Sequence, residues 1–366
     1  MNYETVQKMA AEGNAEAQCY LAHMYEEGEG VSSDLPAALI WYRCAADQGN
    51  AAAQWRLGRM YEEGKGITSD PVAALGWYRL AADQGWADAY VSLGRMYQTG
   101  KGVAVDLNEA VRWYEWAVHA GDARGVYFML ALGDELGNAE AQASLGFFAY
   151  GGQGLPQDYA QAAVWFEKSA EQGVAGAQFM LGSLYRDGAG VKQNFAMAAY
   201  WFRRSAEQGF ARAQNWLGKM YADGSGVKQD HAAAVHWFSE SAEQGNAEGQ
   251  NWLGLMYADG NGVGQDYVTA AKWYRAAARQ GNADAQFNLG VIYRDGLGVE
   301  KDLDEAQKWF DLSTPPAAQV DVQSRLAESA KSSETALTAI RKPGFFAWVK
   351  QKLIPSSRQV YPPTGS

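Results

Sequence analysis

Residues 50–85 read NAAAQWRLGRMYEEGKGITSDPVAALGWYRLAADQG. From Asn50 to about Glu63, apolar side chains fall at Ala53, Leu57, Met60 and Tyr61, the spacing of one helical face. Gly64-Lys65-Gly66 ends that helix, because glycine takes the left-handed cap conformation without a steric penalty. Asp70-Pro71 opens a second helix, with the carboxylate as N-cap and proline at the first helical position. Ala74, Trp77, Tyr78 and Ala81 form its apolar stripe, and Gln84-Gly85 closes it. Gly58 and Ala74 are small where two helices should cross closely, and Trp77 and Tyr78 fill the space beside them. One such pair cannot bury its own apolar face, whereas stacked copies can.

The unit recurs. Closing glycines stand at Gly13, Gly49, Gly85 and Gly121, a 36-residue period; after a slip of 16 the series resumes at Gly137, Gly173, Gly209, Gly245 and Gly281. Leu57-Gly58 returns as Leu93-Gly94, Leu145-Gly146, Leu181-Gly182, Leu217-Gly218, Leu253-Gly254 and Leu289-Gly290. Trp41, Trp77, Trp113, Trp165, Trp201, Trp237, Trp273 and Trp309 each precede Tyr or Phe, which makes eight full units. The shared pattern A-x-A-Q-x-x-L-G-x-M-Y-x-x-G-x-G-V, then D and W-Y and A-A-x-Q-G, runs over roughly residues 10–314 and resembles the Sel-1-like repeat. That family is a longer-looped relative of the tetratricopeptide repeat. The resemblance implies an all-α fold, a right-handed α-α superhelix or solenoid whose first helices line a concave surface. It also implies an adaptor or scaffold role.

The expected organisation is repeats one to three over 1–121, a lone helix or decayed repeat over 122–137, and repeats four to eight over 138–316. A capping helix over 317–341 and a basic, partly disordered tail over 342–366 complete it. Residues 122–137 read as a first helix with no loop and no partner; Val126 stands where most units have Gln, and Met129-Leu130 replaces Leu-Gly. Either the repeat has decayed there, or the break reorients the first three units against the last five. In the tail, Phe345, Val349 and Leu353 share a helical face beside Lys350 and Lys352. Docking back on the array, anchoring a partner, or resting on a membrane surface all fit that pattern.

With 48% hydrophobic residues the chain can build a large core, and no run of 18 apolar residues predicts a membrane span. Met1 to Ala17 carries Glu4, Lys8, Glu12 and Glu16 and does not read as a secretory signal, so a cytoplasmic location is expected. Net charge is −11; the tail from 335 onward is +5, which leaves −16 on residues 1–334. An acidic body disfavours nucleic acid, whose phosphates need a basic footprint, and suits basic partners. Cys19 and Cys44, both in the first repeat, read as free, buried thiols of a reducing compartment.

Short patterns that imitate catalytic motifs dissolve into the repeat. Gly-x-Gly recurs in every unit, whereas a phosphate-cradling loop occurs once, between a strand and a helix. Ser225-Gly-Val-Lys228 fills the same loop slots as Ala189-Gly-Val-Lys192. Asp259-Gly-Asn261 would need a bidentate Glu where Ala270 stands. His23, His119, His231 and His236 form no helical metal pair, so neither metal nor cofactor is expected and the chain reads as no enzyme.

Function is expected on the concave face instead, at the slots five and two residues before the repeat leucine and two and five after it. These slots vary from unit to unit while the core slots repeat. They supply an aromatic-basic patch (Trp55, Arg59, Arg95), an apolar middle (Phe147, Tyr150, Phe179), and Asn215 with Asn251 in one slot beside Lys219. Aromatic and arginine side chains anchor interfaces, and asparagine can pair both its donor and its acceptor with a peptide backbone. Trp216 and Trp252, one residue before the leucine, should pack on neighbouring helices. The expected function is a non-catalytic scaffold that holds a protein or peptide. An inhibitor or immunity protein that neutralises a toxin or enzyme is the alternative, and a hydrolase a remote third.

Overall fold

The computed structural model describes residues 2–313. They form eighteen α-helices and one π-helical turn, with no strand among the described residues. Also among the described residues, no helix is long and apolar enough to cross a membrane. The capping helix and tail expected beyond residue 316 lie outside the described residues. The chain divides between Gln193 and Asn194 into two compact units. The first holds repeats 1 to 4 and the first helix of repeat 5; the second holds the remainder of repeat 5 and repeats 6 to 8.

Repeat 2 shows how sequence becomes a helix pair. Its first helix is Ala51–Glu63, capped by Asn50, whose side chain accepts the Ala53 N–H at 2.9 Å. Gly64 ends it at φ +73°, returning its N–H to the Met60 carbonyl. Two residues later Gly66 also takes a positive φ of +70°, and a Cβ there would lie 2.9 Å from Leu35 Cβ. Leu35 begins the second helix of repeat 1. Thus one glycine turns the chain and the next lets the loop rest on the preceding repeat. The second helix, Pro71–Ala82, starts under Asp70, whose Oδ1 takes the N–H groups of Val72 and Ala73.

Between the two helices Leu57, Ala74 and Tyr78 are fully buried. A Cβ on Gly58 would sit 2.7 Å from the Tyr78 ring, so the repeated Leu-Gly pair is one residue for the core and one vacancy for a ring. Adjoining repeats are stitched by amides. Gln54 Nε2 donates to the Ala46 carbonyl of repeat 1 at 3.1 Å, and its Oε1 receives Gln84 Nε2 at 2.7 Å. The pairs Gln48–Gln18 and Gln172–Gln142 do the same in the first unit, and Gln244–Gln214 and Gln280–Gln250 in the second. A buried amide satisfied at both ends fixes the stacking register of repeats.

Two elements lie outside the repeat rule. An opening helix, Tyr3–Ala11, packs Val6 and Ala10 on Ala17, Leu21 and Met24, covering the exposed end of repeat 1. The interruption is Arg124–Leu130 followed by a π-helical turn, Ala131–Glu135. Gly133 offers its carbonyl to Gln142 Nε2 at 2.8 Å, the job done elsewhere by the end of a second helix. The loop of repeat 4 rests on both sides of this join, with a Cβ at Gly154 meeting Val118 at 2.7 Å and Val126 at 3.1 Å.

The expectation of two buried thiols is corrected: Cys19 is partly buried and Cys44 is exposed. Cys44 occupies an outward slot of the second helix, where repeats 2 and 3 carry the exposed Leu80 and Trp116.

Candidate functional site

In the first unit, the first helices of repeats 1 to 3 (Ala15–Glu27, Ala51–Glu63 and Ala87–Thr99) present their variable slots on one face. Two adjoining clefts, of about 530 Å³ and 390 Å³, open there and share Trp55 and Asp88. Glu16, Tyr20, His23 and Trp86 contribute to the larger. Arg59, Glu62, Glu63, Arg95, Lys101 and Arg124 contribute to the smaller.

Core tyrosines set this face from beneath. Tyr42 donates its hydroxyl to Glu26 at 2.7 Å, Tyr78 to Glu62 at 2.7 Å, and Tyr114 to Gln98 at 2.6 Å. Burial, reinforced by the adjacent carboxylates, pushes the Tyr42 and Tyr78 phenols far above their ordinary range, so they remain donors. Arg56 adds a 3.1 Å ion pair to Glu26, and Lys101 reaches back from the repeat 3 loop to Glu62 at 3.2 Å. These two carboxylates are therefore held in place, with side chains only 11% and 16% exposed.

Trp55 forms the wall between the clefts. Its Nε1 donates to Ser92 Oγ at 3.1 Å, and the Arg59 guanidinium lies 5.2 Å from its ring centroid. Arg59 also pairs with Glu63 at 3.2 Å. Arg124, from the interrupting helix, bridges Asp88 and Asp122. Its hydrogen bonds hold the Asp122 carboxyl below the usual range and raise the guanidinium further. The expected trio of Trp55, Arg59 and Arg95 is thus brought to one cleft. Asp88, Ser92, Lys101 and Arg124 were not in that set. Arg124 was legible, since it stands 36 residues after Asp88 and so in the same slot.

Other expected residues sit differently. Phe147 is 46% exposed and meets Phe166 edge-on at 5.1 Å, while Tyr150 is 39% exposed and meets Tyr159 at 5.2 Å. Phe179 is half-buried. In the second unit, Asn215 and Asn251 are buried. Asn215 Nδ2 donates to Glu248 at 2.8 Å, and Asn251 accepts Asn288 Nδ2 at 3.2 Å. Lys219 joins Glu248 at 3.1 Å, with its ammonium 4.4 Å from the Trp216 centroid and 5.3 Å from that of Trp252. Trp216 stacks on Phe202 and Trp252 on Phe238, as their position before the leucine predicts.

His23, Glu26 and Glu27 bring ligand-type atoms within 4.8 Å of one another. Glu26 already accepts from Tyr42 and Arg56, so the positive charge beside it is the guanidinium.

The family model described as Sel1 repeat matches residues 15–50, 51–86, 87–122, 139–174, 175–210, 211–246, 247–282 and 283–313. No curated protein matches the sequence. Among solved structures, a Sel1 repeat protein from Oxalobacter formigenes is 32% identical over 88% of this chain and 89% of its own, with a TM-score of 0.50. The protective antigen c5321, present in uropathogenic Escherichia coli strains and displaying an SLR fold, is 37% identical with a TM-score of 0.50. That match covers 86% of this chain, which spans 64% of the antigen's length. The immunity protein Pa5087 from Pseudomonas aeruginosa is 18% identical over 63% of this chain and 81% of its own, with a TM-score of 0.29, a likeness of fold alone.

Proposed function

The chain belongs to the Sel1 repeat family, whose members are in general protein-interaction scaffolds, and we propose that it is a non-catalytic adaptor holding a protein segment on the first-helix face of repeats 1 to 3. The observation that carries this reading is the pair of adjoining clefts divided by Trp55. Trp55 is fixed by Ser92 and flanked by Arg59, so a partner meets a rigid aromatic edge with little side-chain entropy left to lose. Aromatic and arginine anchors of this kind carry most of the energy in protein interfaces. Phe147 and Tyr150, exposed on the first helix of repeat 4, extend the apolar surface available within the same unit.

Residue-specific photocrosslinking at position 52, which lines the larger cleft beside Trp55, followed by mass spectrometry, identifies the partner and the segment it inserts. The double variant Trp55→Ala, Arg59→Ala, with its helical circular dichroism unchanged, should lose that crosslink and the partner with it. Undiminished capture by the folded double variant sinks the assignment.

A further inference from the structure

The two clefts differ in the charge they leave uncompensated. In the larger one Asp88 is tied to Arg124 and Arg56 is tied to Glu26. Glu16 is exposed and has no ion pair among the described residues, and it stands in the same cleft as Tyr20, Trp55 and Trp86. In the smaller cleft every carboxylate is occupied: Glu62 by Tyr78 and Lys101, Glu63 by Arg59 and Lys65, Asp88 by Arg124. Arg95 is exposed there and has no ion pair among the described residues. One cleft therefore carries a spare carboxylate among aromatic rings, and its neighbour a spare guanidinium among satisfied acids.

Resting on the reading of this face as a peptide-binding surface, we infer that the partner segment is dipolar: a lysine or arginine seats at Glu16, and an aspartate or glutamate seats at Arg95. A cation beside aromatic faces gains from their quadrupoles as well as from the carboxylate. A carboxylate at Arg95 matches the guanidinium fork. Glu16 and Arg95 lie two repeats apart, roughly 20 Å across at about 10 Å per packed helix. The repeat 3 equivalent of Glu16 is Asp88, seven residues before Arg95, or about 10 Å along the helix. The two charges therefore stand roughly 22 Å apart. In an extended segment at about 3.3 Å per residue that is about seven residues. The order of base and acid along the segment fixes its direction on the array, so the charges select orientation as well as composition.

The test uses the full chain on an array of twelve-residue peptides in which one lysine and one aspartate occupy all pairs of positions, beside uncharged and singly charged controls. Binding should peak for a base and an acid about seven residues apart in one order. Glu16→Lys should reduce binding of lysine-bearing peptides about ten-fold, and Arg95→Glu should do the same for aspartate-bearing ones. The double reversal should favour the opposite order. Both sites are exposed, and equal thermal melts establish that the variants are folded. Peptide binding that ignores charge, or that neither reversal alters, overturns the dipolar inference while leaving the face as a peptide site. If no peptide binds the wild-type chain, the peptide-binding reading falls with it.

Discussion

Replacing Tyr274 by phenylalanine removes one oxygen from the core of repeat 7, and the direction of the response tests the packing logic of the array. The same slot holds Tyr42, Tyr78 and Tyr114 in repeats 1 to 3, Phe166, Phe202 and Phe238 in repeats 4 to 6, and Phe310 in repeat 8. The three early tyrosines find acceptors 16 residues upstream in Glu26, Glu62 and Gln98. For Tyr274 that position is Ala258, and its buried hydroxyl has no partner among the described residues. A buried hydroxyl left unsatisfied costs about 1–3 kcal/mol, whereas a hydrogen bond to a charged group contributes about 1.5–3 kcal/mol. Tyr274→Phe should therefore stabilise by about 1 kcal/mol, with the ring still resting on Gly254. Tyr78→Phe should destabilise by about 1.5 kcal/mol, the low end of the charged range, because Glu62 keeps Lys101. Urea denaturation followed by far-ultraviolet circular dichroism measures both, with amide hydrogen exchange locating each change within the array. Destabilisation by Tyr274→Phe of more than about 1 kcal/mol at constant m-value would mean that the hydroxyl has a partner, and the account of this slot would be wrong.

Gly58→Ala drives a methyl group into the Tyr78 ring, at 2.7 Å, and overpacking of this kind should cost about 1–3 kcal/mol in the same denaturation assay. Alkylation of the native protein should label the exposed Cys44 well before Cys19, whose thiol is pushed up by burial; equal rates read by mass spectrometry would contradict the placement of both. Asp122 is held below the usual carboxylate range by Arg124, so its contribution to stability is present above its unfolded value of about 4 and fades as pH falls through the lower folded value. Asp122→Asn should accordingly be less stable than the parent at neutral pH, and the two denaturation midpoints should converge as the pH falls below the ordinary carboxylate range.

The period was legible because geometry narrows the choice at the slots that define it. Gly66 abuts a neighbouring backbone and returns in every unit, and Gly58 lies under a ring and returns in every unit but the first, where Ala22 faces Tyr42. Slot arithmetic then placed Trp55, Arg59 and Arg95 around one cleft without any coordinates. It gave less for Asn215 and Asn251, because exposure of a slot depends on what the neighbouring repeats lay over it. Glu248 and Asn288 engage those two amides and leave them buried. Lys101 was illegible for another reason: it is a loop residue that returns to Glu62, 39 positions earlier. The opening helix escaped notice because only Val6 and Ala10 are buried along it, too few to stand out in a polar stretch.

The tyrosine slot also explains why the candidate site falls where it does. In repeats 1 to 3 a buried hydroxyl points to the slot five residues after the leucine and fixes an acceptor there. In repeats 4 to 6 the ring is phenylalanine, no donor arrives from below, and the same slot holds Tyr150, Arg186 and Ala222. In these six repeats core identity goes with whether the slot above is held from beneath, whereas in repeat 7 Tyr274 faces Ala258 and holds nothing there. Glu26 and Glu62 are too well held by tyrosine and by Arg56 or Lys101 to swing toward a ligand without breaking bonds worth about 1.5–3 kcal/mol each. They act as a fixed floor that keeps Arg56 and Lys101 occupied. The charges that remain available to a partner are those the tyrosines do not reach, Glu16 at the start of one first helix and Arg95 in the middle of another.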